Sequence, residues 1–497
     1  MAAGGDTGQD RKNATDQPAV VTAIPISGYP LPGGYNPPAA EGHRPVPVGA
    51  PAAPYVPPSP GATPPEAGPR SRRRPRLWRW TGLGMVLALL CCGVPVVGGV
   101  VALDRFVDGA GTAEVGSGAP SPKPGDPPSV ERDWLGERVT ELLARQAAAL
   151  LAGDEDAYLA VAEPNSPMAR DLRRQFRTLR AMRVTRWEPE MRGKLVRLPE
   201  PDEWRSDLRV HHCFVLPECE PLEISIGLRW RNVAGRMRLI GVDEPEGEGD
   251  RPRPWEVDEL VASVGERVLV VAPRALRNRL PELLREGDRA ARVADRYAAD
   301  GSPPDHYRIF YAGPNEWKRW YGGNREEWTA GYAVSIGSGQ YDVVLNSTSL
   351  RDGGYGELLR HELTHTASLS GTSRTRDDVW WLVEGLAENA AAAGGPVSRH
   401  VALDDVRRLV DGGWSGELGD VTPGADAPDW RVSASYGVGF LAVRHLTERY
   451  GEADVLRFFK LVVHDGRAEE EAAREAFGAD WSTLHDECVR YVRKAAS

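Results

Sequence analysis

His361 and His365 stand four residues apart and bracket Glu362 in the run His361-Glu362-Leu363-Thr364-His365. Positions i and i+4 of a helix share one face, so both imidazoles can bind a single Zn²⁺ while Glu362 lies close enough to handle the proton of a water at the metal. Glu384 follows nineteen positions after His365. It would supply a third ligand and leave the fourth coordination place open, which is what a catalytic zinc site requires. Only ten histidines occur in 497 residues, so chance is a poor explanation of the pattern. Glu388, four residues beyond Glu384, falls on the same helix face and could accept the free ring N–H of a ligating histidine.

Two helices must carry these groups. Residues 355–369 space Leu358, Leu359, Leu363 and Thr366 as a helix packed in a core would. A polar Gly/Ser/Thr/Arg stretch over 370–376 reads as a loop, and Asp377 or Asp378 can cap a second helix starting near Val379. Upstream, residues 341–346 form a short β-branched run with the pattern of a strand that edges a cleft, a place where peptides dock.

His361-Glu362-x-x-His365, Glu384 and Glu388, with the wording Trp381-Leu382-x-Glu384-Gly385-x-Ala387-Glu388, resemble the gluzincin zinc metallopeptidases. The wording is similar to the peptidase MA-like group, relatives of thermolysin and aminopeptidase N. The resemblance covers residues 255–497. It implies a Zn²⁺ held by His361, His365 and Glu384, peptide-bond hydrolysis without a covalent intermediate, Glu362 as general base, and Glu388 behind the ligands. It also implies a cleft between an α+β half and an all-helical half. The Gly-Ala-Met-Glu-Asn motif by which aminopeptidase N relatives hold a substrate amino terminus is absent from this sequence. In gluzincins a His or Tyr from a helix beyond the third ligand stabilises the oxyanion; Tyr436 matches that place, opening an apolar helix that ends near residue 450, with Tyr332 and His464 as competitors. His400, His445 and His485 sit where a structural histidine is the ordinary outcome.

Residues 81–103 carry no charge, and at about 1.5 Å per residue they span about 34 Å, enough for one transmembrane helix. Arg70, Arg72, Arg73, Arg74, Arg76 and Arg79 precede the span, which orients the N-terminus to the cytoplasm and residues 104–497 to the outside. Residues 1–70 are rich in Pro, Gly and Ala and cannot bury a core; such a tail can bind cytoplasmic partners. Residues 104–129 have the composition of a stalk. Residues 130–250 begin with a helix over 135–152 and continue with strand-like runs at 182–186, 208–216, 222–230 and 237–242. That order resembles the nuclear transport factor two-like fold in architecture alone. Strands at 268–271 and 307–311, separated by a helix over 276–298, open the third region, 251–497. The whole is therefore expected to be α+β.

The chain carries a formal net charge of −10. Nine basic and five acidic side chains lie in residues 1–103, so −14 falls on the remainder, a poor match for nucleic acid. Of five cysteines, Cys91 and Cys92 lie in the apolar span, Cys213 and Cys219 could pair outside the cytoplasm, and Cys488 is left over. His211 and His212 beside Cys213 offer a weak second metal site, because adjacent strand residues point to opposite faces. These features together suggest a single-pass envelope peptidase that acts on a peptide or protein. The rival is a membrane-anchored scaffold with a silent peptidase fold.

Overall fold

The computed structural model describes residues 121–243, 252–299, 301–323, 329–337, 339–350, 354–372, 376–424 and 426–497. The expected transmembrane segment 81–103 and the tail before it lie outside them. Among the described residues no helix is long and apolar enough to cross a membrane.

The chain begins with helices α1 (Pro128–Ala152), α2 (Glu155–Leu159) and α3 (Pro167–Ala181). Gly153, in the left-handed region, ends α1, while the Asp154 and Ser166 side chains accept the backbone N–H of Ala157 and Ala169 to start α2 and α3. Four strands follow in a simple antiparallel meander: β1 (Val184–Arg197), β2 (Glu203–Phe214), β3 (Leu222–Val233) and β4 (Arg236–Val242). Trp204, Leu208 and Val210 of β2 alternate inward onto the helices, whereas Arg205, Asp207 and Arg209 point away from that core. A disulfide joins Cys213 to Cys219 at the β2–β3 connection. His212 is buried and stacks edge-on to Trp255 and Phe214; burial, then Arg308 and Arg253, push its pKa down to about 3. His212 lies on the face opposite His211, and the neighbouring Cys213 is taken up in the disulfide, so the three do not form a metal site.

After a short helix, α4 (Pro254–Val257), come β5 (Leu260–Val264), β6 (Val268–Pro273), helix α5 (Leu280–Ala294), β7 (Tyr307–Ala312), a single turn α6 (Pro314–Trp317), β8 (Gly331–Gly337) and β9 (Gln340–Asn346). The sheet order is β5-β6-β7-β9-β8, with β6, β7 and β9 parallel and the outer two strands antiparallel. The run at 341–346 is thus an inner strand, not the edge expected from its composition. A run dominated by apolar residues, Tyr341 and Val343 to Leu345, is buried on both sides even though Asp342 lies within it, and the edge falls to β8, whose Gly331, Ser335 and Gly337 lower its apolar content. The two faces of this sheet serve different cores. Val268, Val270, Ile309, Val343 and Leu345 face α5 and the later helices, while Leu269, Val271, Phe310, Tyr332, Val334 and Val344 pack with Leu135, Leu172 and Trp230 from the first segment and with Trp255 of α4.

The remaining helices are α7 (Tyr355–Ser368), α8 (Trp380–Ala391), α9 (Leu403–Asp411), α10 (Asp429–Tyr450), α11 (Glu452–Phe459), α12 (Glu469–Phe477) and α13 (Trp481–Ala495). No strand is found among the described residues after 346, so the division into an α+β part and a helical part follows the chain order. A 3-10 turn, Asp377–Val379, leads into α8 without a side-chain cap, in place of the Asp cap expected.

Candidate metal centre

Both helices of the site are buried on nearly every side, which explains why their apolar periodicity is shallow. α7 is fixed to the end of α8 by Arg360, whose Nε and Nη2 donate to the Ala391 carbonyl at 2.9 and 2.6 Å. A cation there also suits the negative end of the α8 dipole. On its other side α8 crosses α10 in backbone contact: a Cβ on Gly385 would stand 2.3 Å from the Gly439 carbonyl oxygen, and one on Gly439 would stand 2.7 Å from that of Trp381. Small residues at this crossing let the Glu384 face of α8 and the Tyr436 face of α10 share one space.

Within that space the structure brings His361, His365 and Glu384 together. The Nε2 atoms of His361 and His365 are 3.1 Å apart, and Glu384 Oε2 lies 3.3 and 3.2 Å from them. Ligand distances of roughly 2.0–2.1 Å in a tetrahedron put ligand atoms about 3.3 Å apart, so the triangle matches a Zn²⁺ site. Glu388 Oε1 lies 3.0 Å from His361 Nδ1, leaving Nε2 for the shared centre. Among the described residues neither oxygen of Glu362 has a hydrogen-bond partner, and its carboxylate abuts β8, where a Cβ on Gly331 would meet Oε1 at 3.2 Å.

The electrostatics also favour a cation. Three carboxylates, Glu362, Glu384 and Glu388, are buried together. Burial opposes charge on His361, yet Glu384 and Glu388 outweigh it and push its pKa up to about 10. Burial holds His365 below its usual value and pushes Glu362 up to about 8. Burial works against the Glu384 carboxylate too, but His365 and His361 keep it below the ordinary range. A cation bound among these carboxyl groups would favour their ionised forms, and two imidazoles with a carboxylate are donors suited to zinc.

Tyr436 lies beside the cluster, its ring 6.1 Å from that of His361 and edge-on to Trp380 at 4.9 Å. It sits two turns inside α10, which starts at Asp429 rather than at Tyr436 as the apolar run suggested. Tyr332 is on the wrong face of β8, packed against Trp317 with its hydroxyl donating to the Trp320 carbonyl at 3.5 Å. His464 is occupied at the end of α7, its Nε2 2.6 Å from the Ser368 carbonyl. His485 accepts the Leu418 N–H, and His445 packs on Tyr491. His400, by contrast, reaches Glu388: its Nε2 is 3.0 Å from Oε2. No regular spacing advertises that contact, because it is made across a turn rather than along a helix.

No family model and no curated protein matches this chain. Among solved structures, the M1 zinc metallopeptidase from Deinococcus radiodurans is 16% identical over 63% of this chain and 61% of its own, with a TM-score of 0.30. Yeast LTA4 hydrolase is 14% identical over 61% and 60%, with a TM-score of 0.28. The chain matches about three fifths of their length. The case for chemistry therefore rests on the cluster's own geometry.

Proposed function

We propose that the chain is a zinc-dependent peptidase of the gluzincin type. The observation that carries this reading is the convergence of His361 Nε2, His365 Nε2 and Glu384 Oε2 at 3.1–3.3 Å, with an unligated carboxylate, Glu362, beside them. Bound there, Zn²⁺ would polarise a peptide carbonyl and make water nucleophilic near neutral pH. Glu362 takes the proton of the attacking water and returns it to the leaving amine. The Tyr436 hydroxyl donates to the oxyanion as it develops. Glu388 holds the His361 ring in the tautomer that turns a lone pair toward the ligand site. The substrate is a peptide or protein lying along the free edge of β8, and residues 121–243 form an accessory domain of nuclear transport factor two-like architecture.

The same reading places residues 81–103 across a membrane, with the Pro-rich tail facing cytoplasmic partners and the peptidase outside. The Cys213–Cys219 disulfide supports this, since such bonds persist outside the reducing cytosol.

A second reading has one observation in its favour. Glu362, His365 and Glu384 are 0% exposed and His361 is 1% exposed, an enclosure that suits a silent binding protein as well as a closed enzyme. Zinc content and cleavage of a mixed peptide library separate the two. We expect about one zinc per chain in the wild type and in Glu362→Gln, with hydrolysis abolished only in the variant. Loss of zinc from Glu362→Gln would overturn the division of roles, and a wild type that binds zinc without cleaving any peptide would favour the scaffold.

A further inference from the structure

We propose that His400 is a positioning residue of the metal centre, the outer member of a chain of close polar contacts that runs from the Ala402 backbone through His400 and Glu388 to His361. The inference rests on the zinc-site reading above. It starts from the assignment of the His400 proton. The Ala402 backbone N–H points to His400 Nδ1 at 3.4 Å, which makes Nδ1 the acceptor and leaves the ring proton on Nε2. That proton faces Glu388 Oε2 at 3.0 Å. The other carboxylate oxygen, Oε1, lies 3.0 Å from His361 Nδ1. Glu388 is therefore held from both sides, and the plane of its carboxylate decides which way the His361 ring turns. A carboxylate held by one donor can pivot about its χ3 torsion, which is broad; two donors remove that freedom.

His400 is itself held. Its ring lies flat on Phe440, with centroids 4.0 Å apart and planes 11° from parallel. Phe440 is one turn beyond Tyr436 on α10. One side chain thus joins the support of a metal ligand to the helix that carries the proposed oxyanion donor. The side chains of both His400 and Glu388 are nearly sealed from solvent, at 6% and 4% exposure, so water is a poor substitute for the missing donor if the ring is removed.

Packing and positioning predict opposite rankings of substitutions. Phe keeps the stack on Phe440 and has no donor. Gln places an amide N–H near the Nε2 position and gives up the stack, while the shorter Asn reaches neither. The experiment measures the zinc dissociation constant of the full-length chain, solubilised in detergent, by competition with a metallochromic chelator, and the melting temperature of the metal-free protein. For a positioning residue, His400→Phe and His400→Asn should bind zinc about 10 to 100-fold more weakly, the usual effect of disturbing groups that orient ligands, with His400→Gln within about threefold of wild type. Wild-type zinc affinity in His400→Phe, or a Gln variant as weak as Asn, would overturn the proposal. If zinc fails to bind the wild type at all, the metal-site reading falls with it, an outcome distinct from variants that all bind equally well.

Discussion

Tyr436 is the member of the site whose role a single hydroxyl can decide. Its ring packs on Trp380 and stands 6.1 Å from the His361 ring, so Phe fills the same space. If the hydroxyl donates only as the oxyanion forms, Tyr436→Phe should lower kcat by about 10² to 10³-fold, with KM, zinc content and Tm little changed. A kcat within about threefold of wild type would assign Tyr436 to packing alone. At this scale the sequence is highly informative where chemistry follows helical spacing: His361 and His365 are legible from their four-residue interval around Glu362, and Glu388 from its four-residue interval to Glu384, which itself is legible only from the wording around it nineteen positions after His365. Tyr436 and His400 are not, because each reaches the cluster by the packing of one element on another. The alternation of β8 decides against Tyr332, and that could be judged only once the strand's facing was known.

The crossing of α8 and α10 is the corresponding determinant among the elements. Gly385 and Gly439 allow a backbone approach that no side chain tolerates, and this approach sets Glu384 and Tyr436 around one centre. In Gly385→Ala the added methyl would fall 2.3 Å from the Gly439 oxygen, so the helices must separate. Overpacking of this kind costs about 1–3 kcal/mol. A lower Tm and weaker zinc retention are expected in Gly385→Ala, measured against Gly424→Ala, where an added Cβ meets nothing within 4 Å. Equal Tm and zinc content in the two variants would mean that the crossing does not set the site. Apolar runs identified strands such as β6 and β7, whereas helices α7 and α8 were placed by the spacing of their histidines and carboxylates and by the polar loop between them. Strand order was hidden from the sequence. A mostly apolar strand declares that it is buried, and only the pairing of β9 between β7 and β8 says where.

At the scale of the whole molecule, charge and composition indicate topology, and the described residues leave that expectation to experiment. Protease added outside intact cells should digest the region after residue 103 and spare residues 1–70; the reverse pattern would place Cys213 and Cys219 in a reducing compartment and overturn the proposed orientation. What the sequence concealed at this scale was the joint core. Composition suggested two regions, whereas the back of the five-stranded sheet and the first segment bury Leu269, Phe310, Val344, Leu135 and Trp230 together. That arrangement has a consequence for biosynthesis. The helices and meander ending at Val242 are synthesised before β5 to β9, and the last of those strands, at Val344, is made about a hundred residues later. At a translation rate of roughly 5–20 residues per second, the apolar side of the nascent segment waits about 5 to 20 seconds for its cover. During that interval a chaperone at the exit tunnel would find its binding surface, and release would be timed by the arrival of the strands that lie beneath the metal helix.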